Sequence, residues 1–158
     1  TMELFVSGGK VKSVSVDMGD AVAGAEQTLT VDGEAVSCTP VSVGNPHAVL
    51  FVSDIEQAPL TTLGPKLERH EAFPGGVQVL SEHELRMRVW ERGSGVTMAC
   101  GTGACASVTA AVRKGYCRYG EPVLVRLDGG TLRIQIDEDG RVTMTGPAET
   151  VYEGETVE

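Results

Sequence analysis

The segment Ala104-Cys105-Ala106-Ser107-Val108-Thr109-Ala110-Ala111-Val112-Arg113 predicts a helix with no polar face. Ala106, Val108, Ala110, Ala111 and Val112 make it apolar nearly all round, and such a helix must be enclosed by other structure. Arg113-Lys114 puts cations at its C-terminal end, where the helix dipole favours them, and Gly115 supplies the stop. Most of the remaining chain reads as short strands and tight turns, with 20 glycines and only 4% aromatic residues. One enclosed helix among many strands predicts an α+β fold, an antiparallel or mixed sheet rolled around a central apolar helix. The sequence lacks repeating strand–helix alternation and has no Gly-x-Gly-x-x-Gly after its first strand, which argues against a Rossmann fold.

In chain order, Leu4 to Val6 and Lys10 to Asp17 predict two strands joined by Ser7-Gly8-Gly9. In Val11 to Val16 apolar and polar residues roughly alternate, as on a half-buried antiparallel strand. Thr28 to Val31 and Ala35 to Val43 flank Asp32-Gly33, a strong hairpin signal. Ala48 to Val52 is a continuous apolar run, read as a central strand, and the polar knot Gly44-Asn45-Pro46-His47 leads into it. Pro46 holds Asn45 in extended geometry, so this knot reads either as a plain turn or as a binding loop. Residues 53 to 70 predict partial helix, with Pro65 opening a second short one. Phe73-Pro74-Gly75-Gly76 reads as a turn, and Val77 to Leu80 with Leu85 to Trp90 as a hairpin across Ser81-Glu82-His83-Glu84. Val123 to Leu127, Thr131 to Ile136 and Val142 to Thr145 predict further strands, with Val151-Tyr152 as a last extended piece.

At 158 residues the chain has the size of one domain or one lobe, and its 41% apolar and 22% charged content is ordinary for a globular protein. A net charge of −9 and a pI near 4.8 argue against nucleic acid or an anionic membrane as partner. No apolar run is long enough to span a bilayer, and the polar sequence after Leu4-Phe5-Val6 gives no signal-peptide pattern. The four cysteines, Cys38, Cys100, Cys105 and Cys117, form no Cys-x-x-Cys pair, and only three histidines are present. No metal site is expected from them, and reduced thiols in a cytoplasmic protein are the default expectation.

Cys100-Gly101-Thr102-Gly103 immediately precedes the apolar helix. A cysteine at a helix N-terminus faces unpaired N–H groups and the positive end of the dipole, which favour a thiolate and lower its pKa from about 8.5. The same N–H groups can receive a carboxylate, and glycine at 101 and 103 lets a ligand approach. Glu91-Arg92 at a strand end offers a charged pair for the pocket rim. Taken alone, the segment fits a small buried cysteine equally well, because free cysteine is among the most buried residue types. Glu91-Arg92 taken alone fits a solvated surface pair better.

Ser42-Val43-Gly44-Asn45-Pro46-His47-Ala48-Val49, together with Trp90-Glu91-Arg92-Gly93 and Ala99-Cys100-Gly101-Thr102-Gly103-Ala104-Cys105-Ala106, resembles the diaminopimelate epimerase family. The resemblance covers nearly the whole chain but only the C-terminal half of that enzyme, so residues 1–158 would form a single lobe whose last ten or so residues cross to the other lobe. A bare Cys-Gly-Thr-Gly also occurs in proline racemases. The family's two lobes are each a sheet rolled around a helix, with one cysteine from each facing a pocket between them. By this resemblance the activity is that of an isomerase, a cofactor-independent epimerase. It interconverts LL- and meso-diaminopimelate by two-thiol proton transfer, in lysine and cell-wall precursor biosynthesis, with no pyridoxal phosphate and no metal.

The resemblance implies that Cys100 is the catalytic thiol of this lobe. Gly101 and Thr102 would bind the α-carboxylate, and Asn45, Glu91 and Arg92 the rest of the substrate. His47 and Glu91 would modulate the thiol pKa values, and Tyr152 would make a dimer contact. The implied partners are the diaminopimelate substrate, an N-terminal lobe carrying the second cysteine, and a second copy in a homodimer.

Two departures from the family pattern are visible. The N-terminal Cys-Gly-Asn-Gly segment is absent, and Cys38, in Ser37-Cys38-Thr39, cannot replace it. The run Phe73 to Val79 looks about five residues short, at a place where the family carries another substrate-binding asparagine. Two further readings therefore stand beside the first: a catalytically incomplete lobe acting as a scaffold or carboxylate binder, and, ranked lower, a proline-racemase-like enzyme.

Overall fold

The computed structural model describes residues 1–67, 73–91 and 93–156. Twelve strands and two helices occur among them. The first half contains β1 (Met2–Ser7), β2 (Lys10–Asp20), β3 (Val22–Ala23), β4 (Gln27–Val31), β5 (Glu34–Ser42), β6 (Pro46–Phe51) and α1 (Leu60–Leu67). The second contains β7 (Phe73–Ser81), β8 (Glu84–Glu91), β9 (Gly95–Thr97), α2 (Gly101–Arg113), β10 (Val123–Leu127), β11 (Gly130–Ile136) and β12 (Arg141–Pro147). The sheet runs β1-β2-β12-β11-β10-β8-β7-β6-β5-β3, with β4 added to β5 and β9 to β8. β10 lies parallel to β8 and β6 parallel to β7, whereas the other pairs are antiparallel.

Helix α2 packs against β3, β5, β6, β7, β8, β10, β11 and β12. It touches strands from both arms of the sheet path, so the sheet is rolled around it, as the apolar helix requires. Every residue from Gly103 to Val112 is buried. The sheet supplies the matching apolar layer with alternate residues, Leu85, Met87 and Val89 on β8 and Val123, Val125 and Leu127 on β10. Each such large side chain contributes about 2 kcal/mol when withdrawn from water. Small helix residues let the strands approach closely: a Cβ at Gly103 would stand 2.7 Å from Met87 Cε. The buried hydroxyls of Ser107 and Thr109 turn back onto the helix and donate to the carbonyls of Gly103 and Cys105, at 2.8 Å each. Gly115, with φ +76°, ends the helix: its N–H reaches Val112 O and the N–H of Tyr116 reaches Ala111 O.

Several expectations are corrected. Phe73-Pro74-Gly75-Gly76 is not a turn but the first part of β7, paired along its length with β6 and from Gly75 also with β8. Gly76 serves close packing there, since a Cβ would meet Ile55 Cδ1 at 3.0 Å. Pro65 does not open a second helix; it lies inside α1, whose buried Leu60, Gly64 and Leu67 offset the one backbone hydrogen bond the ring removes. Val151-Tyr152 forms no strand, and these residues are 89% and 83% exposed. Gly95-Val96-Thr97, for which no strand was expected, forms β9 and returns along β8.

Candidate active site

The site is built on the first turn of α2. Cys100 is the N-cap, in extended geometry at φ −147° and ψ 108°, and its Sγ accepts the N–H of Gly103 at 3.3 Å. Its carbonyl accepts the N–H of Ala104 at 3.0 Å. The N–H groups of Gly101 and Thr102 have no partner among the described residues and remain as donors at the positive end of the helix. A Cβ at Gly101 would meet Met144 Sδ at 3.0 Å, so the chain runs tight against β12 as it enters the helix.

Three further segments converge on this turn. The loop before β6 contributes Asn45, whose Nδ2 donates to Thr102 Oγ1 at 3.4 Å. Thr102 Oγ1 in turn stands 3.7 Å from Cys100 Sγ. His47, at the start of β6, bonds through Nε2 to Asn45 Oδ1 at 3.2 Å. Because that oxygen only accepts, the arrangement puts the proton on Nε2. Burial lowers the His47 pKa to about 4, against the opposing pull of Glu91, so the ring is neutral at pH 7. The end of β8 contributes Glu91, whose Oε1 accepts a hydrogen bond from Thr97 Oγ1 on β9.

Cys100 does not have the lowered pKa expected from its position. Burial raises it, the Glu91 carboxylate adds to the rise, and the bonds from Thr102 and Gly103 offset only part. Cys100 is only 9% exposed, so loss of hydration outweighs the hydrogen bonds that favour its thiolate, and it rests as S–H at neutral pH. The other cysteines lie apart from this cluster. Burial pushes Cys105 up to about 12 and Cys117 to about 11, and raises Cys38 as well.

Of the sequence-predicted residues, Asn45, His47, Glu91, Cys100, Gly101 and Thr102 meet here. Arg92 lies outside the described residues. Tyr152 is exposed and belongs to no helix or strand. Thr97 was missed, although it orients Glu91. The glycines at 93 and 95, between Trp90-Glu91 and Val96-Thr97, could have signalled a returning strand. His47 also borders an apolar cleft of about 390 Å³, formed with Val22, Leu29, Cys38, Pro40 and Leu67. Among the described residues, no group of three or more His, Cys, Asp or Glu side chains could hold a metal ion. No helix among them is long and apolar enough to cross a membrane.

The sequence model of the family described as diaminopimelate epimerase matches residues 39–151, which include the whole Asn45–Thr102 cluster. The chain belongs to the diaminopimelate epimerase family. It is 48% identical to the diaminopimelate epimerase of Geobacillus thermodenitrificans over 171 residues, covering 96% of this chain and 59% of that protein. Against the diaminopimelate epimerase of Bacillus licheniformis it is 48% identical over 172 residues, covering 97% and 60%. The chain thus spans about three fifths of the length of these relatives. Since the matched stretch of 171 residues is longer than the chain's 158, the relatives carry internal residues that this chain lacks. A hydroxyproline epimerase from Agrobacterium vitis shares the fold, with a TM-score of 0.70 at 15% identity, covering 91% of this chain and 52% of that one.

Proposed function

We propose that this chain supplies one proton-transferring thiol of a cofactor-independent diaminopimelate epimerase, which interconverts the LL and meso forms. The observation that carries this reading is Cys100 capping α2 beside two unpartnered N–H groups, in a chain of this family. Residues 1–158 are then one lobe, whose last ten or so residues cross to an N-terminal lobe bearing the opposing cysteine. A cytoplasmic homodimer with Tyr152 at the contact completes the reading.

The substrate α-carboxylate sits on the N–H groups of Gly101 and Thr102, with Asn45, Glu91 and Arg92 holding the remainder. The thiolate of the partner lobe takes the α-proton, and the electron pair stays on the α-carbon, spread into the carboxylate. Fixed N–H dipoles in a closed site stabilise that charge. Cys100, held as a thiol by burial and Glu91, gives its proton to the opposite face and becomes the thiolate. The two thiols exchange protonation states, and the reverse reaction restores them. No electron is gained or lost overall.

The test is α-deuterium incorporation into LL-diaminopimelate in D₂O, with the chain joined to its complementary lobe. Cys100→Ala is expected to cut incorporation by roughly 10³-fold. Equal labelling by wild type and variant would overturn the reading. The internal residues that the relatives carry and this chain lacks favour a second reading, a lobe that binds a carboxylate without turnover. It predicts ligand-induced protection of Cys100 from alkylation, with no label incorporated.

A further inference from the structure

The turn between β10 and β11 lies far in sequence from Cys100 yet meets the peptide just before it. The N–H of Gly129 donates to the carbonyl of Met98 at 2.7 Å. A Cβ at Gly129 would stand 3.0 Å from that carbonyl oxygen, 3.2 Å from Met98 Cβ and 3.3 Å from its carbonyl carbon. Two of these three are backbone atoms, which cannot swing aside as a flexible side chain can. Only glycine therefore allows the turn to lie this close without moving the strand-to-helix link.

The other side of the turn is fixed. Asp128 accepts hydrogen bonds from Arg86 and, at 3.3 Å, from Arg88 Nε, both on β8. The Arg86 guanidinium holds the Asp128 carboxyl below its ordinary value. The Arg86 fork also donates to the carbonyls of Met87 at 2.9 Å and Arg126 at 3.3 Å, tying β8 to β10. These three side chains are only 20% to 25% exposed. Strand β8 ends in Glu91, so the same strand that presents the carboxylate to Cys100 also anchors the turn against Met98.

We propose that the Asp128-Gly129 turn is a positioning brace for Cys100, one that sets the register of the Met98-Ala99-Cys100 link against β8. Its importance for catalysis rests on the reading of Cys100 as the reactive thiol, but the brace itself can be tested without turnover. In Gly129→Ala the added methyl pushes the Met98 peptide away, and the N-cap thiol loses the burial that the tight link provides.

The experiment measures iodoacetamide modification of Cys100 by peptide mass spectrometry from pH 6 to 11, on this chain as it stands. Gly115→Ala is the control, because it strains the opposite end of the same helix at φ +76°. In Gly129→Ala the midpoint of the Cys100 profile is expected to fall by about half a pH unit or more as burial is relieved, while Gly115→Ala keeps the wild-type profile. A folded Gly129→Ala protein with the wild-type midpoint would overturn the proposal. So would equal shifts in both variants, which would indicate general loosening. Asp128→Asn releases the anchor without adding volume and is expected to move the midpoint the same way by a smaller amount. It decides the matter if Gly129→Ala does not fold, and an unmoved midpoint in it would then overturn the brace. Failure of the brace proposal would leave the Cys100→Ala deuterium test standing as a separate result.

Discussion

Cys100 and Cys105 stand five residues apart at the same end of α2, and the fold uses them differently. Cys105 lies inside the helix, fully buried among apolar neighbours, and burial pushes its thiol up to about 12. Cys100 lies one turn earlier, where the chain is not yet helical, and touches Gly103 N–H, Thr102 and the field of Glu91. The lesson is that position on the helix, more than residue type, separates a fully packed thiol from one that touches polar groups. Both are raised, but Cys100 has Thr102 and Gly103 to offset part of the rise, whereas Cys105 has the backbone of its own residue.

That contrast breaks most directly under alkylation. Iodoacetamide at pH 9 is expected to label Cys100 about 100-fold faster than Cys105, because a fully buried thiol reacts only through local opening. In urea the two rates should converge. Faster labelling of Cys105 in the folded protein would remove the distinction, and peptide mass spectrometry reads it directly.

Gly103 lies between the two cysteines and ties their environments together. A Cβ there would meet Met87 Cε at 2.7 Å and Cys100 Sγ at 3.2 Å. Gly103→Ala is expected to lower stability by about 1–3 kcal/mol through overpacking, measured by urea unfolding. The smaller volume of Met87→Val in the same protein should recover part of the loss; no recovery would mean that the Met87 contact is not its source.

Glu91→Gln sharpens the comparison by separating charge from burial. Removing the carboxylate charge is expected to lower the Cys100 alkylation midpoint by up to about one unit, because Glu91 is among the causes that raise it. Cys105 should stay unchanged, since its rise comes from burial first and from Cys100 second. An upward move of the Cys100 midpoint would contradict the placement of Glu91.

Much of this was legible in the sequence, for reasons visible at particular residues. An apolar helix with no polar face admits one solution, enclosure, so Ala104 to Val112 announced the rolled sheet. Asp32-Gly33 announced its hairpin through turn chemistry, and Asp32 indeed takes φ 53°. Phe73 to Gly76 misled because proline and glycine usually mark turns, whereas here β6 holds all four extended and β8 pairs with Gly75 and Gly76. The Cys100 environment was half legible. Local sequence gives the helix N-terminus, but the loss of hydration that outweighs it comes from strands brought in by tertiary packing. Thr97 and Gly129 were not legible as site residues, because their partners are fixed only by the register of β9 on β8 and by the closure of the β10–β11 turn.

The smallest expected effect lies in the alkaline stability of the fold. A thiol whose folded pKa is raised above its unfolded value stabilises the protein fully below the unfolded pKa. That contribution is lost as pH rises toward the folded value. For Cys105 this window opens near the ordinary thiol value of 9.0 and extends to about 12. Cys105→Ala removes the linkage and one sulfur's worth of packing together. At pH 7 the variant should therefore be less stable than wild type, by about 1 kcal/mol for the lost contact. As pH climbs from 9 to 10.5 the gap should narrow, because the thiol ionises in unfolded wild type but stays protonated in the fold, which favours unfolding, and the variant has no such thiol. Urea midpoints at several pH values measure this, with Cys100→Ala as the companion. Its gap should narrow over the same pH range but by less, since polar partners offset part of the burial at that thiol. If the two variants narrow equally, position on the helix does not set the cost of ionising a thiol in this fold.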